Sequence, residues 1–121
     1  MSRRRYVPRP LSFEVAVPFG CAVEAWFWAA LACRARHEGA RDGGAVGSVA
    51  RPCEPEDVLR AAEGLWRQGR ITRRQLEVMA LYGRDLLPPD PLSAEQRADA
   101  RLWDDALGRL EPVLRAKGIV A

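Results

Sequence analysis

The amino-acid sequence predicts an all-α domain: a compact four-helix unit preceded by an extended basic arm. Three observations carry that expectation. Apolar residues recur at helical spacing in four separate stretches; helix-starting residues stand ahead of the later three; Pro- and Gly-rich segments part the four. With 121 residues and 48% apolar content, the chain suits one modest core. A single helical domain is therefore expected over 21–121, behind an arm over 1–20.

The arm reads "MSRRRYVPRPLSFEVAVPFG". Pro8, Pro10 and Pro18 exclude a helix, while the alternation in "LSFEVAV" permits a short strand. Gly20 is a tolerable helix start. The first helix is expected from about Cys21 to His37, with Val23, Trp26, Phe27, Ala30 and Leu31 as its apolar stripe. Trp28 lies about 200° around the axis from Trp26. It is either an interface anchor or a residue covered by the arm. Gly39, Gly43, Gly44 and Gly47 then make residues 38–52 a flexible connection.

The second helix opens at "CEPEDV". Pro55 suits a first turn, and Glu54, Glu56 and Asp57 complement the helix dipole. Val58, Leu59, Ala62, Leu65 and Trp66 form its inward face, and Gly69 ends it. Thr72 and Gln75 make a capping box for the third helix. Leu76, Met79, Ala80 and Gly83 should face inward there, with Gly83 at the end. Helix, short Gly-containing turn and helix is a helix-turn-helix pattern, shared with ordinary bundles, and residues 54–110 form the helix-turn-helix-like portion. "LLPPDPL" must be a rigid bend. Ser93 and Gln96 read as a second capping box, starting a fourth helix on Leu102, Trp103, Ala106, Leu107 and Leu110. Pro112 should break or kink that helix near residue 110, and a further turn should end before Gly118.

Net charge is only +3, which supports no claim by itself. Its distribution says more. Arg3, Arg4, Arg5, Arg9, Arg34, Arg36, Arg41 and Arg51 outnumber the acids of residues 1–53, whereas residues 54–121 are nearly balanced. Lys117 is the single Lys. Arg dominance suits bidentate contacts to phosphate and guanine, or else reflects codon usage in a GC-rich genome. Pro8, Pro10, Glu14 and Pro18 interrupt any signal core, and "AWFWAALAC" is far short of a membrane span. A cytoplasmic protein without membrane contact is expected.

Cys21 and Cys33 are twelve residues apart on one expected helix, about 18 Å along its axis, so one ion cannot bridge them. Cys33, His37 and Cys53 could meet a metal, but a CxxC knuckle is absent. Buried thiols, no metal and no cofactor are the expectation, with His37 placed at a helix end by the dipole. Catalysis finds little support. The chain has one His, no GxSxG, no phosphate-cradling Gly loop and no paired carboxylates in a cleft-like sequence.

Two clusters suggest binding instead. "RQGRITRRQ" gathers Arg67, Arg70, Arg73 and Arg74 about one interhelical turn, where unpaired N–H groups and a positive dipole end also attract phosphate. Arg73 and Arg74 oppose the local dipole, a choice that helix stability alone does not favour. The competing expectation is a solvated face paired with Glu63 and Glu77. On the fourth helix Gln96, Arg97 and Arg101 share the N-terminal exposed half, with the two Arg spaced to follow one groove wall. Glu95, Asp99, Asp104 and Asp105 weigh against phosphate and suit either a basic protein surface or intrahelical salt bridges. Arg3, Arg4, Arg5 and Trp28 are candidate partner-binding residues.

Residues 72–110 resemble the fourth conserved region of bacterial sigma factors. "ITRRQLEVMALYG" is similar to that region's opening helix, and "SAEQRADARLWDDALGRL" to its recognition helix. The intervening sigma helix is replaced by "RDLLPPDPL", and the second motif is about two residues longer. The wider layout, "EAWFW", "RPCEPEDV", the sigma-like half and "LRAKGIV", resembles a GafZ-like family of small alphaproteobacterial proteins. That family is associated with gene transfer agents and phage-derived regulation, and is similar in role to phage Q-type antitermination factors. The resemblance implies a transcription regulator that loads onto RNA polymerase near a promoter and acts on the elongation complex near the RNA exit channel. It implies DNA as a partner, with nascent RNA and a second copy or accessory transcription factor as further candidates. By position, Arg73, Arg74, Gln96, Arg97 and Arg101 become candidate nucleic-acid contacts. The alternative is a small helical adaptor that binds only protein.

Overall fold

The computed structural model describes residues 15–39 and 49–121. They fold as four helices: α1 (Ala22–His37), α2 (Pro55–Arg67), α3 (Arg73–Asp85) and α4 (Arg97–Ala116). Every pair of these helices is in contact, so one core serves all of them. No strand occurs among the described residues; Phe19 and Val120 form an isolated parallel bridge. Arg3, Arg4 and Arg5 lie outside the described residues, as does most of the expected flexible connection.

The end of the expected arm is part of the body. Phe19 is buried, donates its backbone N–H to Ile119 at 2.8 Å and accepts one from Ala121 at 2.9 Å. Val17 donates to the Ala50 carbonyl, and the Arg51 guanidinium donates to the Val17 carbonyl while covering the Phe19 ring at 4.0 Å. The chain returns to Phe19 because α4 ends in a left-handed glycine. Gly118 has φ 77°, and Ile119 and Gly118 donate back to Leu114 and Arg115, reversing the chain so that Ile119 and Val120 enter the core.

α1 buries a different face from the one its large residues suggest. Ala22, Ala25, Trp26 and Ala29 are buried; Val23, Phe27 and Ala30 are half-buried and Leu31 is exposed. The reason is close approach. α1 touches all three other helices, and three of its four buried residues are alanines; Phe27 and Trp28 fill the margins. Phe27 stacks on Trp103 at 5.6 Å, and Trp26 donates its indole N–H to the Met79 carbonyl at 2.9 Å. Opposite it, Gly83 lies inside α3 rather than at its end. A Cβ there would stand 2.9 Å from Trp26 Nε1, so glycine is what lets α1 and α3 cross. The α3 stripe is shifted accordingly: Gln75, Val78, Met79 and Gly83 are buried, and Ala80 is exposed. The helix ends at Leu86, whose φ of 57° places a leucine in the left-handed region.

α2 follows its local signals closely. Glu54 and Asp57 form a reciprocal capping box, Pro55 takes the first turn, and Gly69 terminates it at φ 73°. α4 departs twice. The expected Ser93–Gln96 box does not form; α4 starts at Arg97, because Gln96 Oε1 instead accepts the Asp90 N–H at 2.7 Å. Pro112 neither breaks nor ends α4, which continues to Ala116. Pro112 is on the exposed side, and the carbonyl four residues earlier belongs to exposed Gly108, so the group that loses its intrahelical donor is not sealed in the core. Leu110 and Leu114, both fully buried, hold the helix down on either side of the proline. Glu111 then accepts the Ala22 N–H at 2.9 Å, so α4 caps the start of α1. No described helix is long and apolar enough to cross a membrane.

Candidate nucleic-acid and partner interface

The turn between α2 and α3 is fixed by backbone chemistry at both ends. Gly69 donates to Trp66 and Arg70 to Leu65, the double reversal that closes a helix on glycine. Two residues later Thr72 accepts the Gln75 N–H at 3.0 Å, and Gln75 accepts the Thr72 N–H at 2.8 Å. Ile71, buried between these caps, anchors the turn to the core. Arg67, Arg70, Arg73 and Arg74 are thus held on a rigid corner, and all four are exposed.

They are not equally free. Arg67 pairs with Glu63 at 3.4 Å, and Arg73 and Arg74 both approach Glu77, at 3.6 and 3.8 Å. Arg74 also reaches across to Asp99 of α4 at 3.2 Å. Asp99 is largely shielded and accepts the Tyr82 hydroxyl at 2.9 Å, so one carboxylate ties both ends of α3 to the first turn of α4. Burial first, then the Asp99 carboxylate, pushes the Tyr82 hydroxyl above its ordinary value. Gln75 completes the seam, donating to Asp105 at 2.7 Å and to the Leu102 carbonyl at 3.3 Å. That hydrogen bond, with a second from Arg109, holds the Asp105 carboxyl below its ordinary value. Tyr82, Asp99 and Asp105 are seam residues that side-chain spacing along one helix does not reveal. Of the four corner arginines, Arg70 alone lacks a carboxylate partner among the described residues.

The second cluster divides. Arg97 and Arg101 are exposed on the outward side of α4 and have no ion pair among the described residues. Gln96 is half-buried with its side-chain oxygen committed to Asp90, so it braces the joint between α3 and α4. The Arg74–Asp99 pair sets the two clusters on adjoining elements. Trp28 is half-buried, with its ring 5.1 Å from that of Phe19, so the end of the arm covers part of it.

Arg34 is a cation that helical periodicity does not single out. It donates to the Arg84 carbonyl at 2.8 Å and satisfies the end of α3, the ordinary work of a cation at a helix C-terminus. The cysteines are less buried than expected: Cys21 and Cys33 are exposed and Cys53 is intermediate. Cys53 borders a shallow hollow of about 410 Å³ with Arg60, Asp57 and Lys117. Burial first, then Asp57 and Glu54, raises its thiol above the ordinary value, which keeps it protonated and a poor nucleophile. No group of three metal-ligating side chains converges among the described residues. Comparison with models of known families, with curated proteins and with solved structures finds no match to this chain.

Proposed function

We propose that the protein is a non-enzymatic, helical transcription regulator that acts on RNA polymerase as an antitermination factor and contacts DNA. In this reading α2, its capped turn and α3 serve as a helix-turn-helix-like unit, and α4 lies beside them. The observation that carries it is the set of guanidinium groups without an ion pair among the described residues, Arg70 on the α2–α3 corner and Arg97 and Arg101 on α4, presented by rigid elements tied through Asp99. The sigma-like sequence of residues 72–110 supports RNA polymerase as the partner. Each Arg that meets a phosphate releases about one counterion, which makes binding steeply salt-dependent.

The test is a duplex-DNA titration at several salt concentrations, alongside read-through at an intrinsic terminator with purified polymerase. Arg97→Ala with Arg101→Ala should lower the logarithmic salt slope by about 2. It should leave thermal stability unchanged, because neither side chain holds a partner among the described residues. An unchanged slope and unchanged read-through would refute the reading. A specific observation favours the alternative, a protein-binding adaptor: Arg67, Arg73 and Arg74 are already paired with carboxylates. The adaptor requires no salt-dependent DNA binding.

A further inference from the structure

We infer that Arg73 and Arg74 form a two-arginine clamp for one backbone phosphate of nucleic acid, and that Glu77 is the internal anion filling it in the free protein. The clamp rests on the proposed DNA contact for its ligand and adds the residue that sets the affinity. Both guanidinium groups meet the same carboxylate, each at a different oxygen. Arg73 Nε is 3.6 Å from Glu77 Oε2, and Arg74 Nη1 is 3.8 Å from Glu77 Oε1. Two cations sharing one anion in this way suit phosphate, whose oxygens can each take a guanidinium donor.

Each arginine is also held from behind, independently of Glu77. Arg74 Nη2 donates to Asp99 Oδ1 at 3.2 Å, and that carboxylate is only 16% exposed and fixed by the Tyr82 hydroxyl at 2.9 Å. The Arg73 guanidinium stands over the Trp66 ring, 6.0 Å from its centroid, and Trp66 packs against the core. The gap between the two cations is therefore preformed, which lowers the ordering cost of binding. Glu77 is the loose member. Its side chain is 56% exposed, and both of its contacts exceed the about 2.7–2.9 Å of a charge-assisted hydrogen bond. Exposed pairs of this kind contribute little to stability, so a phosphate that reaches both guanidinium groups at hydrogen-bond distance displaces the carboxylate.

The surrounding charges leave room for an anion. Arg67, Arg70, Arg73 and Arg74 face Glu63 and Glu77 on α2 and α3, with Asp99 reaching them from α4. Glu63 is occupied by Arg67 at 3.4 Å, and Asp105, on the α3–α4 seam, is balanced by Arg109 at 3.1 Å. Once Glu77 turns aside, the carboxylates that remain at this corner each keep a cationic partner of their own.

The experiment is a duplex-DNA titration at several salt concentrations with the wild type, Glu77→Gln, Arg73→Ala with Arg74→Ala, and the triple variant. Glu77→Gln should tighten binding about fivefold at low salt, the size of one exposed ion pair, and steepen the logarithmic salt slope by about 1. Its melting temperature should hardly change. In the background lacking both arginines, the same substitution should alter affinity by less than about twofold. An equal gain in both backgrounds would show that Glu77 merely repels DNA, and no gain in either would show that nothing competes. Either result overturns the clamp while the DNA contact stands. Should the double-arginine background melt early, Arg73→Ala alone spares the Arg74–Asp99 bond, and there the gain should fall by about half. If none of the proteins binds DNA, the proposed DNA contact falls and inorganic phosphate decides the clamp. The Nε–H NMR signals of Arg73 and Arg74 should then shift at lower phosphate concentration in Glu77→Gln than in the wild type. Signals that stay in place in both proteins would refute it.

Discussion

Gly83→Ala should destabilise this protein, although alanine is the better helix former. Propensity alone favours the change by about 1 kcal/mol. Against it stands the crossing of α1 and α3. The added Cβ would sit 2.9 Å from Trp26 Nε1 and 3.4 Å from the Ala30 Cβ. Trp26 is 5% exposed, and its indole N–H is bonded to the Met79 carbonyl at 2.9 Å, so the ring cannot retreat freely. Overpacking costs about 1–3 kcal/mol, and a strained or broken buried hydrogen bond costs about 1–3 kcal/mol more. With the propensity gain subtracted, a net loss of about 3 kcal/mol follows, or roughly 12 °C in melting temperature for a domain of this size. Thermal and urea unfolding followed by tryptophan fluorescence would measure it. Gly64→Ala is the matched control: nothing lies within 4 Å of its added Cβ, and it should stabilise by about 0.5–1 kcal/mol. A Gly83→Ala protein as stable as the wild type would refute the close-crossing argument.

Two further predictions concern α4. The hydrogen bond from Ala22, then that from Arg115, lowers the Glu111 carboxyl below its ordinary 4.5. A lowered folded-state value means that its contribution is complete above about pH 4.5 and is lost as pH falls through the lower folded value. Melting temperature measured downward from neutral pH should therefore fall less steeply in Glu111→Gln than in the wild type below that point, and parallel profiles would contradict the cap. Pro112→Ala restores a backbone donor to the Gly108 carbonyl and should stabilise α4 by about 1–3 kcal/mol. A lower urea midpoint would show that the proline is accommodated for a reason other than exposure.

Signals that act within a few residues were legible without the fold. The Thr72–Gln75 box, Pro55 in the first turn of α2, and the glycine stops at Gly69 and Gly118 all stand where their chemistry places them. Each joins groups three to six residues apart, so nothing distant competes. The same four-residue pattern at Ser93–Gln96 failed because a rival donor six residues away, the Asp90 N–H in a proline-framed joint, captured the glutamine. Local grammar therefore depends on the absence of rivals.

The candidate interface was legible as residue types and not as an arrangement. Arg67, Arg70, Arg73 and Arg74 were visible as a cluster, but their carboxylate partners decide which of them is available. One of those partners, Asp99, is on another helix. Trp28 and Gln96 changed meaning in the same way, through Phe19 and Asp90.

The sequence by itself determined that there are four helices, where three of them begin, and that the chain carries an arginine-rich corner. Periodicity and capping are properties of neighbouring residues. Tertiary structure alone decided which face of α1 is buried, that Pro112 is tolerated, that Gly83 is a crossing point, and that Leu87 and Leu92 are left outside. Those outcomes depend on how closely two helices approach and which side of each faces water, quantities set by the whole packed core and by no single stretch of chain.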